Sequence, residues 1–196
     1  VQLGEKSRQG LAELRRHCAQ SFYQYINGDA GGETRKQFEE FCAAEGSWLN
    51  DFALFSALRK KFSGSSWVDW PVELRKRESA ALEQQKNELK DDIGCIYFEQ
   101  FAFFSQWLDL KNYVNQKGVS VLGDIPIFVG HNSADVWAEP HYFSLDDNGN
   151  ALTVAGVPPD AFSESGQRWG NPHYRWDVME KDGFQWWLKR FGTQKK

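Results

Sequence analysis

The chain has 196 residues, 41% apolar and 26% charged, which places it among ordinary globular sequences of about one domain and outside the disordered, fibrous and supercharged classes. A formal net charge of −4, with no block of five like charges, makes duplex nucleic acid and anionic membranes electrostatically poor partners. The longest apolar runs have about five residues against the roughly 20 of a bilayer span. Nine Trp, six Tyr and fifteen Phe supply more flat apolar surface than one small core requires, so some rings are expected to face a ligand.

The first 95 residues read as helical. Apolar positions recur at three and four spacing around residues 5–26 (Leu11, Leu14, Cys18) and 34–45 (Phe38, Phe41, Cys42), separated by Asn27, Gly28, Gly31 and Gly32. A further helix is expected from about Trp48 to Phe62, stopped by Ser63-Gly-Ser-Ser66. From Val72 to Gln116 the stripe Leu82, Leu89, Ile93, Ile96, Phe103, Trp107, Leu110 and Val114 predicts one long helix or two abutting ones, packed through that stripe. Lys117-Gly118 then stops the helix, and Val119–Val129 reads as a buried parallel strand carrying Asp124 and, just beyond it, Pro126. Asp124 sits where such a strand ends, the edge on which α/β folds place reactive groups, although it could equally cap a turn.

Ser133 is expected to cap a short helix through Trp137, followed by a turn over 140–143 and a hairpin around Asn148-Gly149. Asp146-Asp-Asn-Gly-Asn150 begins like a calcium loop, but Ala151 and Val157 stand where such a loop needs Gly and Glu. The segment 156–173 has three Gly, three Pro and no period, so it reads as an 18-residue loop of the kind that tends to be functional. It mixes rings (Phe162, Trp169) with planar hydrogen-bonding groups (Asp160, Gln167, Arg168, Asn171), which suits a sugar's C–H face and paired hydroxyls. A surface loop pinned by its own Trp, with Asp160 closing an Asx-turn, fits the same residues. An amphipathic helix follows from about Trp176 to Phe191, with Trp137, Trp176, Trp186 and Trp187 expected in the core.

Three cysteines without a CxxC pair fit a reducing compartment, and four isolated histidines give no zinc site. No nucleotide-binding, GxSxG or HExxH motif occurs, so no cofactor and no metal are expected.

The runs Gly123-Asp-Ile-Pro-Ile-Phe-Val129, Ser133-Ala-Asp-Val-Trp-Ala138, Gly156-Val-Pro-Pro-Asp-Ala-Phe-Ser163, Gly166-Gln-Arg-Trp-Gly-Asn-Pro172 and Asp182-Gly-Phe-Gln-Trp-Trp-Leu188 resemble, in order, signatures of the 4-α-glucanotransferases or amylomaltases of the α-amylase clan. Trp48–Phe55 and Trp67–Pro71 resemble that family's helical subdomain. The resemblance implies an α/β fold: a partial (β/α)8 barrel over 96–196, with the third strand, the substrate lid 156–173 and the following helix, and an inserted helical subdomain over 1–95. It implies α-1,4-glucans (maltooligosaccharides, starch or glycogen chains) as partners, in the cytoplasm or the plastid stroma, with Asp124, Pro126, Asp160, Phe162, Ser163, Trp169 and Asn171 beside the glucan. Ala161 departs from the bacterial pattern, in which an aromatic often follows Asp160, and matches the plant-type variant. The retaining chemistry of such enzymes needs an Asp nucleophile, a Glu acid/base and a second Asp. The nucleophile's Arg-x-Asp-His-Phe-Arg-Gly signature does not occur among the 196 residues, so the chain is expected to be an internal fragment that binds substrate without catalytic carboxylates. A non-catalytic glucan-binding protein is the alternative.

Overall fold

The computed structural model describes residues 5–194, which form eight α-helices, three short 3-10 turns and one two-stranded antiparallel sheet. The chain divides into two compact units, one built from residues up to Lys61 together with Leu82–Val121, the other from Phe62–Ala81 together with Leu122 onward. The boundary expected at 95/96 therefore falls elsewhere, because residue 95 lies inside an unbroken helix.

The first unit is a helical bundle. Helix α1 (Glu5–Asn27) turns through Asp29–Gly31 into α2 (Gly32–Lys61), a single helix where two had been expected, since Gly46 is accommodated within it. Arg35 secures the turn by donating from Nε to the Ile26 carbonyl at 2.6 Å. Helices α4 (Ser79–Glu88) and α5 (Lys90–Gln116) complete the unit, α5 packing on both α1 and α2. Lys61, the last residue of α2, holds the end of α4, its ammonium reaching Gln85 Oε1 and Glu88 Oε1, each at 2.7 Å. That bond satisfies the buried Gln85 and holds the Glu88 carboxyl below the usual carboxylate range.

The packing faces differ from those expected. On α1 the buried positions are Ala19 and Ile26, with Phe22 between them, while Leu11 and Leu14 are exposed. On α5 the rings that meet the bundle are Phe98, Phe101 and Phe104, against Phe22, Phe38, Phe41 and Trp48, with centroids 4.7–5.9 Å apart. Phe103, Trp107 and Leu110, assigned by their spacing to the inner face, are exposed. The helix carries two apolar stripes, and periodicity alone cannot say which one the neighbours cover.

The second unit begins with a 3-10 turn, Trp67–Asp69, and the short α3 (Val72–Arg75). Trp67 and Trp137 are fully buried, and both satisfy their indole N–H: Trp67 donates to the His131 carbonyl at 2.8 Å and Trp137 to the Leu74 carbonyl at 3.0 Å. Ser133 caps α6 (Ala134–Ala138) as expected, accepting from the Val136 amide at 3.3 Å. The turn at Asn148-Gly149 is present, while the hairpin expected around it has one isolated bridge, Leu145 with Ala151, and no regular strand. Asp146 Oδ1 accepts the amides of Asn148 and Asn150 at 2.8 and 2.9 Å, so this carboxylate serves its own turn. Gly149 is essential there, having φ +87° and a position where a Cβ would lie 2.3 Å from the Trp67 ring.

Three expectations about regular structure are corrected. Lys117-Gly118 does end α5, but Val119–Val129 forms no ladder and bends at Ile127–Phe128, with Leu122 and Ile127 largely exposed. An apolar run supplies the side chains of a strand, whereas the strand itself needs a hydrogen-bonding neighbour. The segment 156–173 is not loop throughout: β1 (Val154–Val157) pairs antiparallel with β2 (Gln167–Pro172). The helix expected over 176–191 is split into α7 (Trp176–Lys181) and α8 (Gln185–Gln194), leaving Trp137 and Trp186 buried, Trp187 half-buried and Trp176 exposed. Asp182 makes the break, its Oδ1 receiving the Gln185 amide while its Oδ2 accepts the Tyr142 hydroxyl.

Gly149→Ala is expected to destabilise the protein by about 2–3 kcal/mol through the clash with Trp67 and the strained φ, read as a lowered Tm. The Tyr142–Asp182 bond gives a pH test. Donation to the carboxylate raises Tyr142 from about 10 to about 12 and lowers Asp182. The tyrosine's contribution is therefore complete below pH 10 and lost as pH rises toward 12, and the aspartate's is lost as pH falls through its depressed value. Tyr142→Phe should flatten both limbs of the Tm-versus-pH curve relative to wild type.

Candidate functional site

All seven sequence-predicted site residues lie in the second unit, on two stretches that the fold brings together: the irregular run 124–129 and the β1–β2 hairpin. The hairpin closes because two glycines permit close backbone approach. A Cβ on Gly156 would sit 2.4 Å from the Gln167 carbonyl oxygen, and one on Gly166, at φ +73°, would sit 2.6 Å from that of Val157. This is the signal that composition concealed, since Gly and Pro suggest loop while here they allow pairing.

At the hairpin tip, Asp160 Oδ1 accepts the amides of Phe162 and Ser163, each at 2.8 Å, and the Asp160 amide donates to the Ser163 carbonyl at 3.0 Å. Ser163 Oγ in turn donates to the Gly166 carbonyl at 2.8 Å. The Asx-turn reading is thus correct for Asp160, and its result is a tip that holds Phe162 out with 94% of its surface exposed.

Strand β2 carries the other two. Its pairing is irregular: Gly156 lies opposite Arg168 and Val154 opposite Pro172, which leaves Trp169-Gly170-Asn171 as a bulge opposite Ala155, with Gly170 at φ +81°. Bulges re-aim side chains and are common beside functional sites. Here the bulge presents Trp169, half exposed, with its indole N–H donating to Gln167 Oε1 at 3.0 Å. Asn171 Nδ2 donates to the Val129 carbonyl at 2.8 Å. Asn171 therefore clasps the 124–129 run to the hairpin.

A second clasp is Tyr174, which donates from its hydroxyl to the Ile127 carbonyl at 2.9 Å. Burial pushes Tyr174 up to about 12, so it remains a donor across the physiological range. Asp124 and Pro126 are exposed at the outer end of this run, and Asp124 Oδ1 accepts the adjacent Ile125 amide at 2.8 Å. One residue not singled out from sequence belongs to the same place: Phe128, between Trp169 and Tyr174. Alternation along a regular strand could not have flagged it. Gln167, noted among the planar hydrogen-bonding groups of 156–173, orients the indole. Among the described residues no cluster of His, Cys, Asp and Glu could hold a metal ion, and no helix is long and apolar enough to cross a membrane.

Two exposed rings edged by amide and carboxylate groups thus lie together in the second unit, and comparison with known proteins gives the chain a family. The 4-alpha-glucanotransferase family model matches residues 5–196, and the chain belongs to that family. It is 49% identical over 161 residues to the 4-alpha-glucanotransferase of Thermus thermophilus, covering 82% of this chain and 32% of that protein. With the chloroplastic/amyloplastic 4-alpha-glucanotransferase of Solanum tuberosum it shares 48% identity over 161 residues, covering 81% of this chain and 28% of that one. Among solved structures, the amylomaltase from Streptococcus agalactiae in complex with acarbose superposes with a TM-score of 0.83 at 34% identity, covering 94% of this chain and 37% of that chain. The chain thus spans about a third of the length of the curated relatives it matches.

Replacing Asn171 with Ala should release the clasp on Val129. Backbone amides within 124–129 are expected to exchange with solvent roughly 2- to 10-fold faster, while those of Phe162 and Ser163 stay unchanged, as read by hydrogen-exchange mass spectrometry.

Proposed function

We propose that this chain is the substrate-lid portion of a 4-α-glucanotransferase, which transfers an α-1,4-glucan segment from a donor chain to the 4-hydroxyl of an acceptor glucan or glucose by retaining double displacement. The observation that carries the reading is the pair of displayed rings, Phe162 and Trp169, each held by hydrogen bonds within the hairpin's own residues. A glucan offers alternating apolar faces and hydroxyl edges, and such rings stack on the former while Asp160, Ser163 and Asn171 border the latter.

In this reading, the stretch 119–124 is the third strand of a (β/α)8 barrel whose neighbouring strands supply its missing ladder. Asp124 and Pro126 then sit at the carboxyl edge, where barrels place their active sites. The helical residues form the subdomain inserted in that barrel. The Asp nucleophile and Glu acid/base come from sequence other than these 196 residues, and no cofactor takes part. The relatives named chloroplastic/amyloplastic and the acarbose complex of the amylomaltase support starch-type glucans as substrate in a plastid; the cytoplasm is the other setting in this reading.

Affinity electrophoresis through a glycogen-containing gel tests the binding half of the proposal. The chain should be retarded, and Trp169→Ala should reduce its affinity about tenfold, equivalent to the loss of roughly 1.4 kcal/mol. Incubated alone with maltotriose, the 196-residue chain should yield no longer maltooligosaccharides, because loss of a nucleophile removes several orders of magnitude of rate.

A further inference from the structure

Among the described residues, the aromatic neighbour that Trp169 meets is Phe128, edge-on at 6.4 Å between centroids and 63° between planes. Phe128 itself lies nearly parallel to Tyr174, at 5.9 Å and 11°. Tyr174 is 7% exposed and wedged between Phe143, Trp186 and Trp187, with centroids 5.3–5.5 Å away. The three rings form a line from the core to the surface, and their anchoring weakens outward, Phe128 being half-buried and Trp169 half-exposed.

The bulge at Trp169-Gly170-Asn171 removes the regular strand neighbours that would otherwise hold the indole in place. What restrains it is one hydrogen bond to Gln167 and the edge of Phe128. We propose that Phe128 is a positioning residue for glucan binding: it touches no sugar, and it fixes the plane of the Trp169 indole against the core ring Tyr174, so that the stacking face is set before ligand arrives. This rests on the reading of Trp169 as a glucan-stacking residue. Pre-setting a rotatable ring saves the ordering cost that binding would otherwise meet, which is how a residue remote from ligand alters affinity.

The test measures maltoheptaose affinity for this chain by titration calorimetry, with Phe128→Leu, Phe128→Tyr, Trp169→Ala and the Phe128→Leu/Trp169→Ala double variant. Phe128→Leu keeps apolar bulk and loses the ring edge, and should weaken binding about 3- to 10-fold. Phe128→Tyr should recover most of that loss, and Phe128→Leu should have no further effect in the Trp169→Ala background. The indole N–H resonance of Trp169, assigned by its loss in Trp169→Ala, should shift in Phe128→Leu and return toward wild type in Phe128→Tyr. This second readout needs no ligand and exposes misfolding through the remaining indole resonances.

Wild-type affinity in Phe128→Leu alongside weakened Trp169→Ala would overturn the positioning role and leave the glucan reading intact. An undiminished Phe128→Leu effect in the Trp169→Ala background would do the same. Equal affinity of wild type and Trp169→Ala would overturn the glucan reading and the inference with it.

Discussion

The second unit is organised around one buried ring. Tyr174 forms an isolated bridge with Phe143, donates its hydroxyl to Ile127 and packs on Phe128, Trp186 and Trp187, so three other stretches of the chain converge on it. A tyrosine suits this place because its ring fills core volume while its hydroxyl satisfies a carbonyl on a run that has no ladder to satisfy it. Without that bond and its companion from Asn171, the run bearing Asp124 and Pro126 would have no fixed relation to the hairpin bearing Phe162 and Trp169.

The same logic of side chains standing in for backbone pairing recurs outward from Tyr174. The Asp160 carboxylate organises the hairpin tip, Asp146 the neighbouring turn, Ser133 the start of α6 and Asp182 the break between α7 and α8. Arg190 adds a tie across the unit, ion-paired to Asp135 at 3.0 Å and lying over the Trp186 ring at 4.6 Å. With a two-stranded ladder as the only sheet among the described residues, these short polar groups and stacked rings do the positioning that a full sheet would otherwise do.

Local chemistry was therefore the most legible part of the sequence. Ser133 as a cap, Lys117-Gly118 as a stop and Asn148-Gly149 as a turn each involve a handful of adjacent residues, and each is found. Choices settled by distant partners were not legible. The apolar faces of α1 and α5 depend on which neighbour covers them, and the pairing of β1 with β2 depends on backbone approach at Gly156 and Gly166. The run 119–129 has a strand's side chains without a strand's hydrogen bonds. The candidate site residues came from resemblance and composition, whereas Phe128 was passed over because nothing local distinguishes it from any other apolar ring. Asp160 illustrates a middle case: the structural and functional readings of the residue coincide, since the bonds that close its turn are what display Phe162.

The partners of Trp67 and Trp137 carry a consequence for how this chain comes into being. The bonds from Trp67 to His131 and from Trp137 to Leu74 span 64 and 63 residues, and the intervening chain includes residues 82–121 of the other unit. On a ribosome adding about 5–20 residues per second, Trp67 and Leu74 wait some 3–13 s for their partners to be made. During that interval, the helical unit gains its last segment while two large indoles, Trp67 and Trp70, stand unburied nearby in sequence. Until α5 and the segment after it are made, neither Trp67 nor Leu74 has the partner that satisfies it in the folded unit.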